Sequence, residues 1–246
     1  MVAGMVVIVP VAAFATTTTV TTPPSPGSTT PSSGPTQPSN PLCAPSAFSP
    51  AQQYVASALS GRVTQLNSLL SAVGNTANHL TAADQQTLQH DISAVELPGI
   101  GALQTQVQQA TTCAELRMAA RSMVFDYRVY YVMTPQTHLA IVADDETAIE
   151  ATLGNLETTI ASAIDNSADR GKNVSAAQSA FSDLKNEVSA AGNSTNGLAD
   201  ELLAQTPQGF PGNWQVFGAA RTSLSNARND LHAAYNDGRQ IRSDLQ

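Results

Sequence analysis

The sequence predicts an all-α protein, an elongated bundle of antiparallel helices with coiled-coil-like heptad packing behind a disordered Thr/Ser/Pro-rich stretch. Three observations predict it. Apolar residues recur at intervals of three and four from Ser49 to the C-terminus, the spacing that lines one face of a helix. Capping residues and Pro or Gly stops fall where those runs begin and end. Strand-like alternation is confined to 124–132, where Phe125, Tyr127, Val129 and Tyr131 alternate with Asp126, Arg128 and Tyr130, and the helical context around it favours helix.

The first fifty residues follow other rules. No Lys, Arg, Asp or Glu precedes Arg62, and ten of the fourteen prolines lie at or before Pro50. Residues 1–15 form an apolar run ending in Ala13-Phe14-Ala15, the small-x-small pattern of a signal-peptidase site. Fifteen helical residues would span roughly 22 Å, less than the ~30 Å of a bilayer core, so a removed signal is the first expectation. The usual basic start is missing, which leaves a retained weak anchor as the alternative. Residues 16–49 are dominated by Thr, Ser, Pro and Gly without charge or period, a composition too poor in apolar surface to offset its ordering entropy. An extended spacer is expected there, dense enough in Ser and Thr for O-glycosylation. The plainer alternative is an ordinary disordered tail.

From residue 50 the chain reads as one helical domain to residue 246. Ser49-Pro50-Ala51-Gln52 has the form of a cap, a first-turn proline and a capping-box Gln, followed by Val55, Leu59, Val63, Leu66, Leu70 and Val73. Thr81 caps a second helix through Leu88, Ile92 and Val95, closed by Pro98-Gly99, with a short helical piece at 100–110. Thr112-Cys113-Ala114-Glu115 is a capping box opening a third helix through Leu116, Ala120, Met123, Tyr127 and Tyr130, which Thr134-Pro135 ends. The fourth is long, with Ile149, Leu153, Leu156, Ile160 and Ala163, and stops at Arg170-Gly171. The fifth keeps its alternation from Val174 to Leu202, with a break or kink expected near Gly192 and Gly197. The last carries Phe217, Ala220, Leu224, Ala227, Leu231, Ala234, Ile241 and Leu245. The many alanines at seam positions indicate closely packed helices, each thirty residues measuring about 45 Å.

Composition excludes more than it identifies. Eleven basic residues against nineteen acidic ones, a net charge of −8, argue against nucleic acid or an anionic membrane surface as the main partner. Two cysteines seventy residues apart, Cys43 and Cys113, read in an exported chain as a disulfide contributing about 4 kcal/mol on the loop-entropy model. The histidines (His79, His90, His138 and His232) form no metal-ligand spacing, so no metal and no cofactor are expected. Asp144-Asp145-Glu146 lacks the spacing of a calcium loop, and three consecutive acids on a helix point in three directions; a solvated face near the start of a long helix is the expected role. No nucleophile elbow, zinc-protease, phosphate-loop or dinucleotide pattern occurs.

The densest unusual segment is 121–138, with three of the five tyrosines. On a continuous helix Arg121, Tyr127, Arg128 and Tyr131 occupy neighbouring turns, where guanidinium and phenol could line a site for an anionic or amphipathic ligand. The bland counterpart is a core centre with tyrosine hydroxyls at its edge. The same stretch carries a resemblance: Tyr127-Arg128-Val129-Tyr130, Pro135 and Ala143-Asp144 resemble a block in exported all-helical proteins of high-GC Gram-positive bacteria. The likeness covers about thirty residues. It implies export and a helical fold, and it transfers no catalytic residue.

The leading expectation is therefore a secreted or envelope-associated, non-enzymatic bundle serving structure or protein contact. Its partner is a protein or envelope component, with self-association through the heptads left open and membrane contact only through an uncleaved residue 1–15 segment. The alternative is a carrier for a lipid or other amphipathic molecule in a cavity lined by residues 125–133, namely Phe125, Tyr127, Tyr131 and Met133. An enzyme would need a cleft assembled from distant groups such as His138 and Asp144.

Overall fold

A computed structural model describes residues 45–246; the apolar segment 1–15, nearly all of the spacer and Cys43 of the expected disulfide lie outside the described residues. α1 spans Pro45–Val73, α2 Ala82–His90, α3 Leu97–Gln109, α4 Cys113–Phe125, α5 Thr134–Asp169, α6 Ser175–Thr195, α7 Leu198–Leu203 and α8 Asn213–Asp244. A π-helical turn, Asp91–Glu96, joins α2 to α3 without a break, and a second, Val129–Met133, runs directly into α5. Five long rods pack together: α1, the continuous α2–α3 rod, α5, α6 and α8. The described residues contain no strand.

Two bodies of core share α5. In the first, Leu59, Leu66 and Leu69 of α1 meet Leu88, Ile92, Ile100 and Val107 of the α2–α3 rod, closed off by Leu116 and Met123 of α4 and by Val129 and Ala140. Gln52 of α1 donates to the Val107 carbonyl at 2.7 Å and Gln85 to that of Val73 at 2.9 Å, so α1 and the α2–α3 rod run antiparallel. In the second, α6 and α8 zip along their whole length, from Ala177 and Leu184 against Ile241 and Ala234, through Ala191 against Ala227 and Leu231. Leu198 and Leu202 of α7 continue the seam onto Phe217, Ala220 and Leu224. Alanines at 177, 191, 220, 227 and 234 bring these backbones close, so that each buried Leu is enclosed on all sides, worth roughly 1.5–3 kcal/mol apiece.

Several expected boundaries move, each for a local reason. α1 begins at Pro45 and carries Pro50 inside it, so Ser49 does not cap it and the spacer ends earlier than residue 49. Phe48 packs on the first core from that added turn, offsetting the bond that Pro50 cannot make. Pro98-Gly99 does not stop the second helix. The π turn before it resets the hydrogen-bond ladder, which seats Pro98 in the first turn of α3, where a missing donor costs nothing. Val95, expected in the core, is exposed. Pro135 sits in the same way at the start of α5, behind the second π turn. The Thr112 capping box forms as expected, with both reciprocal bonds. Of the two glycines read as breaks, only Gly197 ends a helix, at φ 69°; Gly192 remains helical beside the Glu150 carboxylate.

The acidic triplet is the largest correction. Asp144 and Glu146 are buried, not part of a solvated face. The three acids do point in three directions, and each finds a different element. Asp145 accepts from the His79 backbone N–H at 2.6 Å and Asp144 from that of Thr81 at 2.8 Å, tying the loop before α2 to α5. Glu146 accepts from Arg228 Nε of α8 at 3.0 Å. The heptad pattern could not show that a loop and a neighbouring helix would cover this turn of α5.

Candidate functional site

Where α4 meets the second π turn, the chain changes direction and leaves an arginine–aromatic band on the surface. α4 ends at Phe125, with the Asp126 N–H closing on the Ser122 carbonyl and the Asp126 carboxylate accepting from the Ser122 hydroxyl. Arg128 then adopts the left-handed conformation, φ 42°, ψ 39°, strained for a non-glycine residue. The π turn that follows drives Val129, Val132 and Met133 into the core and leaves Tyr130 and Tyr131 outside, 45% and 50% exposed. The cores on either side of residue 128 determine which side chains point inward, so the two tyrosines are left to solvent.

Other elements complete the band. Phe210 and Trp214, from the connection into α8 and its first turn, meet Tyr131 with ring centroids 5.6 and 6.3 Å away and stand edge-on to one another at 6.2 Å. The Arg128 guanidinium lies 4.2 Å above the Phe210 ring and 5.3 Å from that of Phe125, which Arg121 also approaches at 5.6 Å. From α1, Arg62 lies 5.1 Å over Tyr130. Phe125 and Trp214 are about half exposed, so the rings form a face and not a core. Each cation over a ring contributes about 0.5–1 kcal/mol at such exposure.

The electrostatics of this face are unusual for an acidic chain. Arg62, Arg121 and Arg128 form no ion pair; among the described residues the close ion contacts are His79–Asp145 and Arg228–Glu146. Nε of Arg62 and Nε of Arg128 are buried without a hydrogen-bond partner. Burial pushes the Arg62 pKa down, with Tyr130 and Tyr131 opposing the shift, and an arginine remains charged under any such shift. The one acid of the α4 end, Asp126, is engaged by Ser122.

Of the four residues the sequence singled out, the structure brings together Arg121, Arg128 and Tyr131. It separates Tyr127, whose ring packs directly against Gly99 of α3, half-buried beside the first core. The expectation of one continuous helix fails because Arg128 is left-handed. Arg62, Tyr130, Phe210 and Trp214 were missed as site residues. For Trp214 a signal existed: extending the four–three alternation back from Phe217 places Asn213 in the seam, which is buried, and leaves the only tryptophan outside it. Arg62 and Phe210 come from elements remote in sequence, which periodicity cannot align, and Tyr130, inside the singled-out segment, was read as part of the apolar face of a continuing helix.

The expected ligand cavity along 125–133 is divided between core and surface: Met133 is buried, Tyr127 packs on α3, and Phe125 and Tyr131 lie outside. Two hollows of about 420 Å³ occur elsewhere, one at the end of α8 around Arg239 and Arg242 and one between α5 and α6 around Glu150 and Gly192; both are open and polar.

Two buried acids lie apart from the band. Burial, with Asp91 nearby, pushes Glu96 in the first π turn up to about 8, and its Oε2 has no partner. Burial also pushes Asp144 up to about 6, against the Thr81 N–H and with Asp84 facing it. Thr81 caps α2, its hydroxyl accepting from the Asp84 N–H at 3.1 Å and donating to the Asp84 carboxylate at 2.6 Å. Among the described residues no three His, Cys, Asp or Glu side chains are grouped so as to hold a metal ion. No protein-family model, no curated protein and no solved structure matches the chain.

Proposed function

We propose that the protein is a non-enzymatic helical module exported to the cell envelope or exterior, and that it binds a protein partner through the arginine–aromatic band. One observation carries the binding part. Eight residues from α1, α4, the turn after α4, the second π turn, the approach to α8 and its first turn leave aromatic rings and guanidinium groups on one exposed face, the residue types that dominate the energy of protein interfaces. A folded chain has no stability reason to keep a half-exposed tryptophan and tyrosine side by side. Export rests on the signal-like run at 1–15, the charge-free Thr/Ser/Pro stretch behind it and the resemblance of the Tyr127–Asp144 block.

A photo-crosslinking residue placed at Trp214 in the full chain, expressed in its host, tests both parts. The expected outcome is a discrete protein adduct in the envelope or culture fluid, absent when the same residue replaces the exposed Leu156 on α5. Equal labelling from the two positions would remove the band from consideration. Adducts made entirely with cytoplasmic proteins would overturn export.

A further inference from the structure

We infer that the partner presents an acidic segment carrying apolar side chains to the band, an inference that rests on the band being the binding face. The argument is charge complementarity. Arg62, Arg121 and Arg128 stand on one face of a chain whose net charge is −8, and none of them takes a carboxylate from the nineteen acids available. A guanidinium set against a ring keeps N–H groups at its edge for a carboxylate, and Arg121 and Arg128 spend none of theirs on hydrogen bonds within the chain. Of the three, only Arg62 makes one, to the Ala58 carbonyl. Between these cations, Tyr131, Phe210 and Trp214 offer an apolar centre. A segment with carboxylates spaced around one or two apolar side chains satisfies both parts at once.

The ring geometry favours a polypeptide over an acidic polysaccharide. The three rings are tilted by 35–78° to one another, which leaves no flat platform for sugar rings to stack on, whereas side chains can enter between them. A nucleic acid would meet three arginines on a strongly acidic protein, too few to neutralise a phosphate backbone.

The experiment is selection of a random dodecapeptide display library on the full chain, repeated on Arg121→Glu and on Phe210→Ala. Arg121 is exposed and makes no internal hydrogen bond, so the charge reversal leaves the fold intact, and circular dichroism checks it. The expected result is enrichment of Asp and Glu beside apolar residues. Individual peptides should bind Arg121→Glu roughly tenfold more weakly or worse, and shift the emission of Trp214, the only tryptophan. Neutral or basic peptides that lose binding on Phe210→Ala would overturn the acidic partner while leaving the band as a protein-binding face. Peptides indifferent to both substitutions, or no enrichment at all, would overturn both readings. A shift of Trp214 emission by polygalacturonate with none by the acidic peptides would overturn the inference in favour of a polysaccharide. A dimer that dissociates on Arg121→Glu would replace the outside partner with a second copy of the chain.

Discussion

Gly99 and Gly192 both lie within helices, where alanine is intrinsically preferred by about 1 kcal/mol. Their surroundings give the same substitution opposite signs. A Cβ at Gly99 would strike the Tyr127 ring, which packs against the first core, so the ring must leave that packing or α3 must shift. Gly99→Ala should therefore destabilise by about 1–3 kcal/mol in urea unfolding, the cost of overpacking. A Cβ at Gly192 would meet only the Glu150 carboxylate, the far end of a flexible side chain beside an open polar hollow. Gly192→Ala should be neutral or stabilising by up to about 1 kcal/mol as Glu150 moves toward solvent. Equal losses at both positions would contradict this account of why the chain tolerates helical glycines. The sequence marks both as helix interruptions, and only the neighbour in space tells them apart.

Among elements, α7 is the most dependent on a single side chain. It is six residues long, too short to hold its own hydrogen-bond ladder, and its C-terminal carbonyls face inward. The buried Gln136 amide of α5 donates to the carbonyls of Leu202, Leu203 and Gln205 at 2.9–3.1 Å, filling positions that no further turn of helix supplies. Gln136→Ala should leave the Leu203 and Gln205 carbonyls without this donor, Leu202 keeping the Gln205 N–H, and cost about 1–3 kcal/mol. Hydrogen exchange of the 198–205 amides should rise before that of α6 or α8, and uniform protection across all three would sink the idea. The seam of α6 and α8 was legible throughout: Ala177, Leu184, Val188, Ala191, Ala220, Leu224, Ala227, Leu231 and Ala234 are buried where their spacing puts them. The end of α4 was not. Helical periodicity continues past Phe125, and only the burial of Val129 and Val132 on different sides of the turn makes the left-handed Arg128 worth its strain.

For the whole molecule, the buried acids govern the dependence of stability on pH. Glu96 titrates at about 8 in the folded protein against 4.5 when exposed, so its contribution is fully present below pH 4.5 and is lost as the pH rises through 8. Asp144 acts in the same sense between 3.8 and about 6. Glu115 works in the opposite direction. Backbone N–H groups of Thr111 and Thr112 hold its pKa low, so its contribution is present above the ordinary range and disappears on strong acidification. The protein should therefore unfold at lower temperature at pH 8.5 than at pH 5. Glu96→Gln should remove most of that difference, raising stability at pH 8.5 by on the order of 2 kcal/mol while changing little at pH 5. A melting temperature flat from pH 5 to 8.5 in the parent chain would show that Glu96 is not held in an apolar setting. The same burial that perturbs Asp144 explains why the acidic triplet was misread: its three directions follow from helix geometry, but what lies in each direction is a property of the packed chain.

Helical class, the apolar seams, the capping box at Thr112 and the charge-free N-terminal stretch are determined by the sequence itself, because each depends on residues within a few turns of one another. The π turns that carry the helices across Pro98 and Pro135, the burial of Asp144 and Glu146, and the meeting of Arg62, Arg128, Tyr131, Phe210 and Trp214 were decided only in the tertiary structure. Their partners lie tens of residues or more away along the chain. Spacing along one helix says which face is apolar, and the packing of the other helices decides what that face and its opposite come to touch.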